Sequence, residues 1–343
     1  MGNVLFPVSE YWWFYVGFIG VVVLLLGIDL GLFQRKAHTP SVKEAALWTL
    51  LWVSLSLLFN YFLFHFSFSE FSHSQRLLAH PNFSADVAAK QVALEFLTGY
   101  IVEQSLSIDN LFVFVIIFNY FCIPSQLQHR ILFFGILGAF LFRGLFIALG
   151  SLLIQIQAIV VIFGVFLVIT GIKLFFTDEE NVVRPEKNPV IRVLKKFLPV
   201  SSDISHGNFF LRKEGTFYAT PLFLALVVIE VSDVIFAVDS VPAIFAITRE
   251  PLVVFTSNIC AILGLRSMYF LLVHVVEKFY LLKYGLGIIL VFVGLKMSVL
   301  HYFYDGHFPI LLSLTIIVAV VGGSVVLSLL FPPGKLKKVF GTK

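Results

Sequence analysis

The chain has 343 residues, of which 59% are hydrophobic and 13% are charged, and its mean hydropathy is +0.97. Soluble globular domains are about 45–50% apolar and about 25% charged. So few charged side chains cannot cover a water-facing surface of this size, which excludes a soluble enzyme, a disordered protein and a disulfide scaffold. The net charge of +4 is too small to indicate nucleic-acid binding. The composition predicts an all-α polytopic membrane protein.

Long apolar segments recur along the whole chain, and a membrane-spanning helix needs about 20 such residues. Nine segments meet this requirement: 12–33, 45–66, 95–121, 131–153, 157–177, 217–247, 252–275, 284–303 and 309–331. A β-barrel is rejected because its strands alternate in polarity, whereas segment 154–176 does not. The first segment lacks the features of a signal peptide and is interpreted as a span, with Trp12 and Trp13 as interfacial anchors.

The lysines and arginines outside the spans predict the orientation of the chain. One set of alternate loops and tails holds 17 of them and the other set only 3. Because basic loops stay in the cytoplasm, we expect the N-terminus outside and the C-terminus in the cytoplasm. A membrane that borders the cytoplasm is the predicted location, and membrane lipid is the expected surrounding partner.

Spans 5 and 8 share a pattern of two glycines and a lysine, and an arginine lies 30 residues before each lysine. The matched positions are Gly164 with Gly287, Gly171 with Gly294, Lys173 with Lys296, and Arg143 with Arg266. Spans 3–5 and 6–8 are therefore predicted to be two three-helix copies. An odd number of spans inverts the second copy, and inverted repeats are typical of transporters with a site at the bilayer midplane.

This repeat predicts five units along the chain. They are an N-terminal two-span unit with an outside loop (1–94), the first repeat (95–177), a basic cytoplasmic linker (178–216), the second repeat (217–303), and a final span with a cytoplasmic tail (304–343). The sequence leaves the oligomeric state open.

Charged side chains occur inside the predicted spans, where each costs about 2.5–3.5 kcal/mol. The acids are Asp29, Glu103, Asp109, Glu230, Asp233 and Asp239, and the bases are Arg143 and Arg266. A set of purely structural salt bridges would contain equal numbers of each sign. We expect the two arginines to balance part of this charge, and the remaining acids to be protonated, hydrated or bound to cations.

The geometry of an ideal helix does not aim all these acids at one point, because Glu103 and Asp109, like Asp233 and Asp239, are six residues apart. We therefore predict that spans 3 and 6 are broken near their acids, span 6 at Pro242. Lys173 and Lys296 are expected to snorkel towards the interface. The candidate neutral oxygen donors are Asn110, Ser107, Ser232 and Ser240.

This donor set contains only oxygen, which hard divalent cations such as Mn²⁺, Mg²⁺ and Ca²⁺ prefer. Softer metals are disfavoured because the two cysteines are isolated and the nine histidines lie in loops or near span ends. The sequence lacks the Walker A motif, which leaves ATP drive unsupported. We expect no enzymatic activity and no resident cofactor: an intramembrane aspartyl protease would carry a GxGD motif, and neither Asp29 nor Asp109 lies in one.

Three long motifs resemble the TerC family of integral membrane proteins, in particular its Alx-like branch. They are EFLTGYIVEQSLSIDNLFVF at 95–114, EVSDVIFAVDSVPAIF at 230–245 and FTSNICAILGLRSMYF at 255–270, with GIDLG at 27–31 as a fourth. The resemblance covers residues 12–303 and keeps every acidic position.

This resemblance implies manganese homeostasis, chiefly export of Mn²⁺ from the bacterial cytoplasm, and the family takes its name from tellurium resistance. Carried over residue by residue, it implies that Glu103, Asp109, Glu230, Asp233 and Asp239 are metal ligands or proton carriers. Asn110 and Asp29 are further candidate ligands. The open alternative is a membrane scaffold that transports nothing and serves metal delivery to secreted proteins or tellurium resistance.

Overall fold

The computed structural model describes residues 5–33, 41–80, 83–154, 156–176, 194, 196, 198–201, 207–213, 216–273, 281–300 and 309–331, without the side chains of 30–33, 109, 112, 239 and 300. In chain order its elements are α1 (Val8–Phe33), α2 (Val42–His73), α3 (Gln75–Leu78), α4 (Ala85–Tyr120), α5 (Ser125–Leu153), α6 (Gln157–Phe176), β1 (Phe210–Lys213), β2 (Thr216–Ala219), α7 (Pro221–Phe245), α8 (Pro251–Leu263), α9 (Leu265–Val273), α10 (Leu282–Leu295), a π-helical turn (Lys296–Leu300) and α11 (Ile310–Leu330).

The described helices agree with the predicted spans. Eight of them are long and apolar enough to cross a membrane, and α8 and α9 together make a ninth span that bends by 43°. The bend falls at Gly264, where the first helix of the pair ends. The protein is therefore an all-α polytopic membrane protein, and many apolar side chains on its periphery, such as Leu47, Ile162 and Leu311, are more than 60% exposed, as lipid-facing residues are.

Two predicted helix breaks are wrong. The α4 helix runs without interruption through Ser105, whose hydroxyl donates to the carbonyl oxygen of Ile101 at 2.6 Å instead of opening the helix. The α7 helix also runs through Pro242. This proline lies in the last turn before Phe245, so the hydrogen bond that it cannot make is lost close to the helix end. The broken span is instead α8–α9.

The most enclosed helices are α4 and α8, which form the centre of the bundle. Of the eight long helices, α4 has the most buried apolar segment, and every residue from Leu252 to Leu263 on α8 is buried. The helices α2, α7 and α11 pack on α4, and α5 packs on both α7 and α8. Polar side chains on α4, α5, α7 and α8 are thereby brought to the centre of the protein.

The predicted linker contains structure that the hydropathy pattern did not indicate. Within the described part of 178–216 and just beyond it, β1 and β2 pair antiparallel, with Phe210 opposite Ala219 and Lys213 opposite Thr216. Residues 177–193 lie outside the described part of the chain. The sixth span was predicted to begin at 217, but α7 begins at Pro221, a favourable first position for a helix.

The prediction that both lysines of the repeat snorkel is wrong for one of them. Lys173 is exposed at the end of α6. Lys296 is only 9% exposed at the start of the π-helical turn, where it interacts electrostatically with Glu95 of α4. The tight packing of α10 against α6 and α11 explains why this lysine turns into the bundle rather than to the interface.

Candidate functional site

A single guanidinium forms the centre of the candidate site. Arg143 of α5 is fully buried, and its Nη2 donates to Oδ1 of Asp233 on α7 at 3.1 Å, while its Nε donates to Oδ2 of the same carboxylate at 3.4 Å. Its Nη1 forms an ion pair with Glu103 of α4. The same nitrogen also donates at 3.4 Å to the Ser240 hydroxyl and to Oδ1 of Asn258. Four helices thus meet at Arg143.

Glu103 accepts further hydrogen bonds that fix its orientation. Its Oε2 accepts from Nδ2 of Asn258 on α8 at 3.1 Å, and its Oε1 accepts from the Ser107 hydroxyl one turn along α4 at 3.3 Å. Glu103, Ser107 and Asn258 are all fully buried. We call the set Glu103, Arg143, Asp233, Ser240 and Asn258 the Arg143 cluster. It contains two carboxylates and one cation.

A third carboxylate lies next to this cluster on α7. Glu230 precedes Asp233 by three residues and so lies close to it on the same helix face. Its carboxylate rests against Gly138 of α5, where any Cβ would overlap it. Its Oε2 is buried and, among the described residues, has no hydrogen-bond partner. Glu230 is therefore a carboxylate held between two helices, and no cation of the described side chains pairs with it.

Asp29 lies in a separate cluster. It is 5% exposed on α1 and forms an ion pair with Arg266, the second residue of α9. A small cavity beside this pair is lined by Ala45, Trp48, Trp52, Ser267 and Phe270 as well. Arg266 thus pairs with Asp29, whereas Arg143 pairs with both Glu103 and Asp233.

The remaining predicted ligands lie farther along the same helices. Asn110 is 3% exposed on α4, seven residues beyond Glu103, and it is not among the hydrogen-bond partners of the Arg143 cluster. Asp109 and Asp239 belong to α4 and α7, but their side chains lie outside the described part of the structure. Among the described side chains, no three His, Cys, Asp or Glu groups are arranged to hold a metal ion.

A second group of acids lies where α7 turns into α8. The Glu250 carboxylate accepts from the backbone N–H groups of Leu5 and Phe6, at 2.8 and 3.3 Å. Burial raises the pKa of Glu250 to about 7, the two backbone hydrogen bonds lower it in part, and the nearby Glu95 raises it. Thr248 of the same turn donates to Oε2 of Glu95 at 2.5 Å.

The sequence indicated the acids and arginines of the Arg143 cluster but not all of its neutral members. Ser107 and Ser240 were candidate donors, whereas Asn258 was noted only as part of a motif. A buried amide in an apolar span was the signal that could have identified it. The role of Gly138 could not be inferred, because nothing in the sequence places it opposite Glu230. Ser232 was also a candidate, but its hydroxyl donates to the Val228 carbonyl of its own helix.

Comparison with known proteins gives a consistent family assignment. Residues 88–335 match the model described as "Integral membrane protein TerC family". The protein of Escherichia coli (strain K12) named "Putative membrane-bound redox modulator Alx" is 46% identical over 307 residues, which are 89% of this chain and 90% of the relative. The protein of the same name from Salmonella typhi is 47% identical, with 89% and 90% covered.

A third relative is an uncharacterized membrane protein of Myxococcus xanthus, 43% identical over 322 residues, with 92% of each chain covered. No solved structure matches this chain.

Proposed function

The chain belongs to the TerC family of integral membrane proteins, and from this premise we propose that it is a secondary transporter that exports a divalent metal cation. One observation carries the proposal: in the Arg143 cluster, two fully enclosed carboxylates share one guanidinium, and Glu230 lies beside them with a buried oxygen that lacks a partner among the described residues.

The charge balance of the described core supports this proposal. Its buried or helix-enclosed acids Asp29, Glu95, Glu103, Glu230 and Asp233 outnumber the bases Arg143, Arg266 and Lys296 by two. Each uncompensated charge in the bilayer costs about 2.5–3.5 kcal/mol, so the excess needs protons or a bound cation. Helices held together only by salt bridges would not carry this excess. Asp109 and Asp239 would add to it, since they lie on the same two helices.

The chemistry of the donors favours a hard divalent cation as the substrate. Carboxylate, amide and hydroxyl oxygens surround Arg143, and Mn²⁺, Mg²⁺ and Ca²⁺ prefer such ligands. Only the family resemblance supports Mn²⁺ in particular, and export rather than uptake. We assign Glu103, Asp233 and Glu230 as ligands or proton carriers, with Asp109, Asp239, Asn110 and Asp29 as further candidates.

Protons are the proposed counter-ions. Metal ligands must be deprotonated, so a divalent cation that enters a group of buried carboxylates displaces protons from them. In the proposed orientation the N-terminus lies outside the bacterial cytoplasmic membrane and the C-terminus inside, so the α7–α8 turn faces outwards. We expect the affinity of the purified protein for Mn²⁺ to increase with pH between about 5 and 8, because the carboxylates lose their protons in that direction.

The decisive experiment measures metal movement into sealed proteoliposomes that contain the purified full chain and a Mn²⁺-sensitive dye. Wild-type protein should transport Mn²⁺, and Asp233→Asn and Glu103→Gln should reduce the rate by at least about tenfold, since each removes a charge from the centre. Asp86→Asn is the matched control, because the side chain of Asp86 is 48% exposed on α4 and pairs with Lys90 one helical turn away.

Correctly inserted wild-type protein without any metal flux would favour the alternative of a scaffold that transports nothing. Full flux in both Asp233→Asn and Glu103→Gln would disprove the site assignment while leaving transport intact.

A further inference from the structure

The α4 helix carries a stripe of polar or small residues at every fourth position. The stripe consists of Gln91, Glu95, Gly99, Glu103 and Ser107. Residues four apart lie on neighbouring parts of one helix face, so the stripe connects the turn between α7 and α8 with the Arg143 cluster. About 12 Å of helix separate Glu95 from Glu103 at 1.5 Å per residue.

Glu95 is buried at the outer end of this stripe. It is 7% exposed, and it accepts from Nε2 of Gln91 at 2.9 Å and from the Thr248 hydroxyl at 2.5 Å. The backbone N–H of Glu250 in turn donates to Oγ1 of Thr248 at 3.1 Å. Glu95 is thus joined to the α7–α8 turn, where the exposed Arg249 marks the edge of the bundle.

Charged and titratable groups from several elements face this end of the stripe. Lys296 of the π-helical turn and Glu250 of the α7–α8 turn interact electrostatically with Glu95. Arg76 of α3 and Tyr15 of α1 interact with Glu250. Glu95 thus has the acid Glu250 and the base Lys296 as near neighbours. When Glu95 gains or loses a proton, the change does not leave a single isolated ion in the bundle.

The middle of the stripe is bridged by α8. A Cβ at Gly99 would lie 2.9 Å from Oγ of Ser257, so the glycine lets this hydroxyl lie directly on α4 between the two carboxylates. The next residue, Asn258, binds Glu103 and Arg143. Polar groups therefore follow one another from Glu95 past Ser257 to Glu103.

We propose that Glu95 relays protons between the Arg143 cluster and the aqueous face at the α7–α8 turn. The inference deepens the proposed function and rests on it. In each transfer a carboxylic acid gives one proton to a carboxylate. The Ser257 hydroxyl donates to the Val254 carbonyl at 3.3 Å, and to serve as the relay it must turn from this carbonyl. It then accepts one proton and releases another, so no charge is created. A proton that reaches Glu103 or Asp233 neutralises a proposed metal ligand and favours metal release on that side.

A merely structural Glu95 would act as a hydrogen-bond acceptor for Gln91 and Thr248. The amide of Glu95→Gln retains an oxygen for Thr248 and has nearly the same volume, but it cannot be ionised. This substitution therefore separates proton transfer from packing. Asp86→Asn again provides the control, since it makes the same type of change at an exposed position of the same helix.

The test uses the full chain in proteoliposomes with an internal pH dye and an imposed Mn²⁺ gradient, together with calorimetric titration of Mn²⁺ in detergent. For Glu95→Gln we expect Mn²⁺ affinity within about twofold of wild type. Metal-driven proton movement should be reduced by at least about a hundredfold, the lower end of the range for a lost proton-transfer group. Ser257→Ala should also keep its Mn²⁺ affinity and lose proton movement, but the loss should be smaller. In Asp86→Asn, both quantities should remain at the wild-type level.

Proton movement at the wild-type rate in Glu95→Gln would overturn the relay. A variant that loses Mn²⁺ affinity to the same extent as proton movement would overturn it too. If Glu95→Gln does not yield monodisperse protein, Ser257→Ala decides, and normal proton movement in that variant overturns the relay. Absence of Mn²⁺ movement in the wild type would overturn the proposed function, and this inference with it. Metal flux with unaltered coupling in Glu95→Gln would overturn the relay alone.

Discussion

Gly164 on α6 lies directly against Gly294 on α10. A Cβ on Gly164 would lie 2.8 Å from the carbonyl oxygen of Gly294, and a Cβ on Gly294 would lie 2.5 Å from the carbonyl oxygen of Gly164. Gly171 and Gly287 meet in the same reciprocal way. The repeat matches Gly164 with Gly287 and Gly171 with Gly294 in sequence. Each glycine therefore contacts the counterpart of the other glycine on its own helix. A two-fold axis produces contacts of this reciprocal kind, and the inverted repeat itself stays a prediction.

Gly164→Ala should therefore destabilise the protein. The new methyl group would meet backbone atoms of α10, which cannot rotate away, and such overpacking costs about 1–3 kcal/mol. The thermal unfolding midpoint of the purified protein in detergent measures the effect. Gly20→Ala on α1 is the control: nothing lies within 4 Å of its Cβ position, so this change should be neutral or slightly stabilising. Equal midpoints for the two variants would contradict the tight contact between α6 and α10.

Arg143→Gln should be among the most destabilising single substitutions in the core. It leaves the carboxylates of Glu103 and Asp233 without their shared cation, and removing one partner of a buried ion pair costs about 3–5 kcal/mol. Thermal unfolding in detergent again measures the loss, with Arg249→Gln at an exposed position as the matched control.

The triple variant Arg143→Gln, Glu103→Gln, Asp233→Asn tests the cause. With the charges removed together, most of the lost stability should return, because no uncompensated ion stays in the core. If the triple variant were as unstable as Arg143→Gln, shape rather than charge would explain the role of this arginine.

The span pattern and the excess of buried acids could be predicted from the sequence, because membrane burial leaves a strong signal in residue type. Asp233 and Arg143 were recognisable as charges in apolar segments. Their pairing was not, because hydropathy carries no information on which helices pack together. The predicted break at Pro242 was wrong because of where this proline lies in its helix. It falls in the last helical turn, where little backbone hydrogen bonding is lost.

Other features of the site depend on close approach between helices. Gly138 and Gly99 look like ordinary helix glycines in the sequence, yet one accommodates the Glu230 carboxylate and the other the Ser257 hydroxyl. The β1–β2 hairpin was not predicted because each strand has only four residues. The basic charge of this region was explained by its predicted cytoplasmic location, so it gave no reason to expect a strand.

Gly138→Ala should weaken metal binding through Glu230. The added Cβ would occupy the place of the Glu230 carboxylate and force it away from its position near Asp233. On the proposed function, we expect Mn²⁺ affinity to decrease by about tenfold, the lower end of the loss when a group that positions a metal ligand is changed. Calorimetric titration of purified protein gives this affinity.

Gly144→Ala is the control for this substitution on the same helix. Its Cβ would make an ordinary 3.8 Å contact with Phe255, so Mn²⁺ affinity should not change. Unchanged affinity in Gly138→Ala would exclude Glu230 from the ligand set, provided that Asp233→Asn still reduces binding.

The Glu250 carboxylate should make the stability of the protein depend on pH. Burial raises its pKa from 4.5 to about 7, so between these values the folded protein binds a proton that the unfolded chain has released. The free energy of unfolding must therefore decrease as pH rises through this window. Glu250→Gln cannot be ionised and should flatten the profile, whereas Glu10→Gln at an exposed position of α1 should keep the wild-type slope. Thermal midpoints in detergent from pH 5 to about pH 8 provide the measurement, and an unchanged slope in Glu250→Gln would assign the pH dependence to other acids.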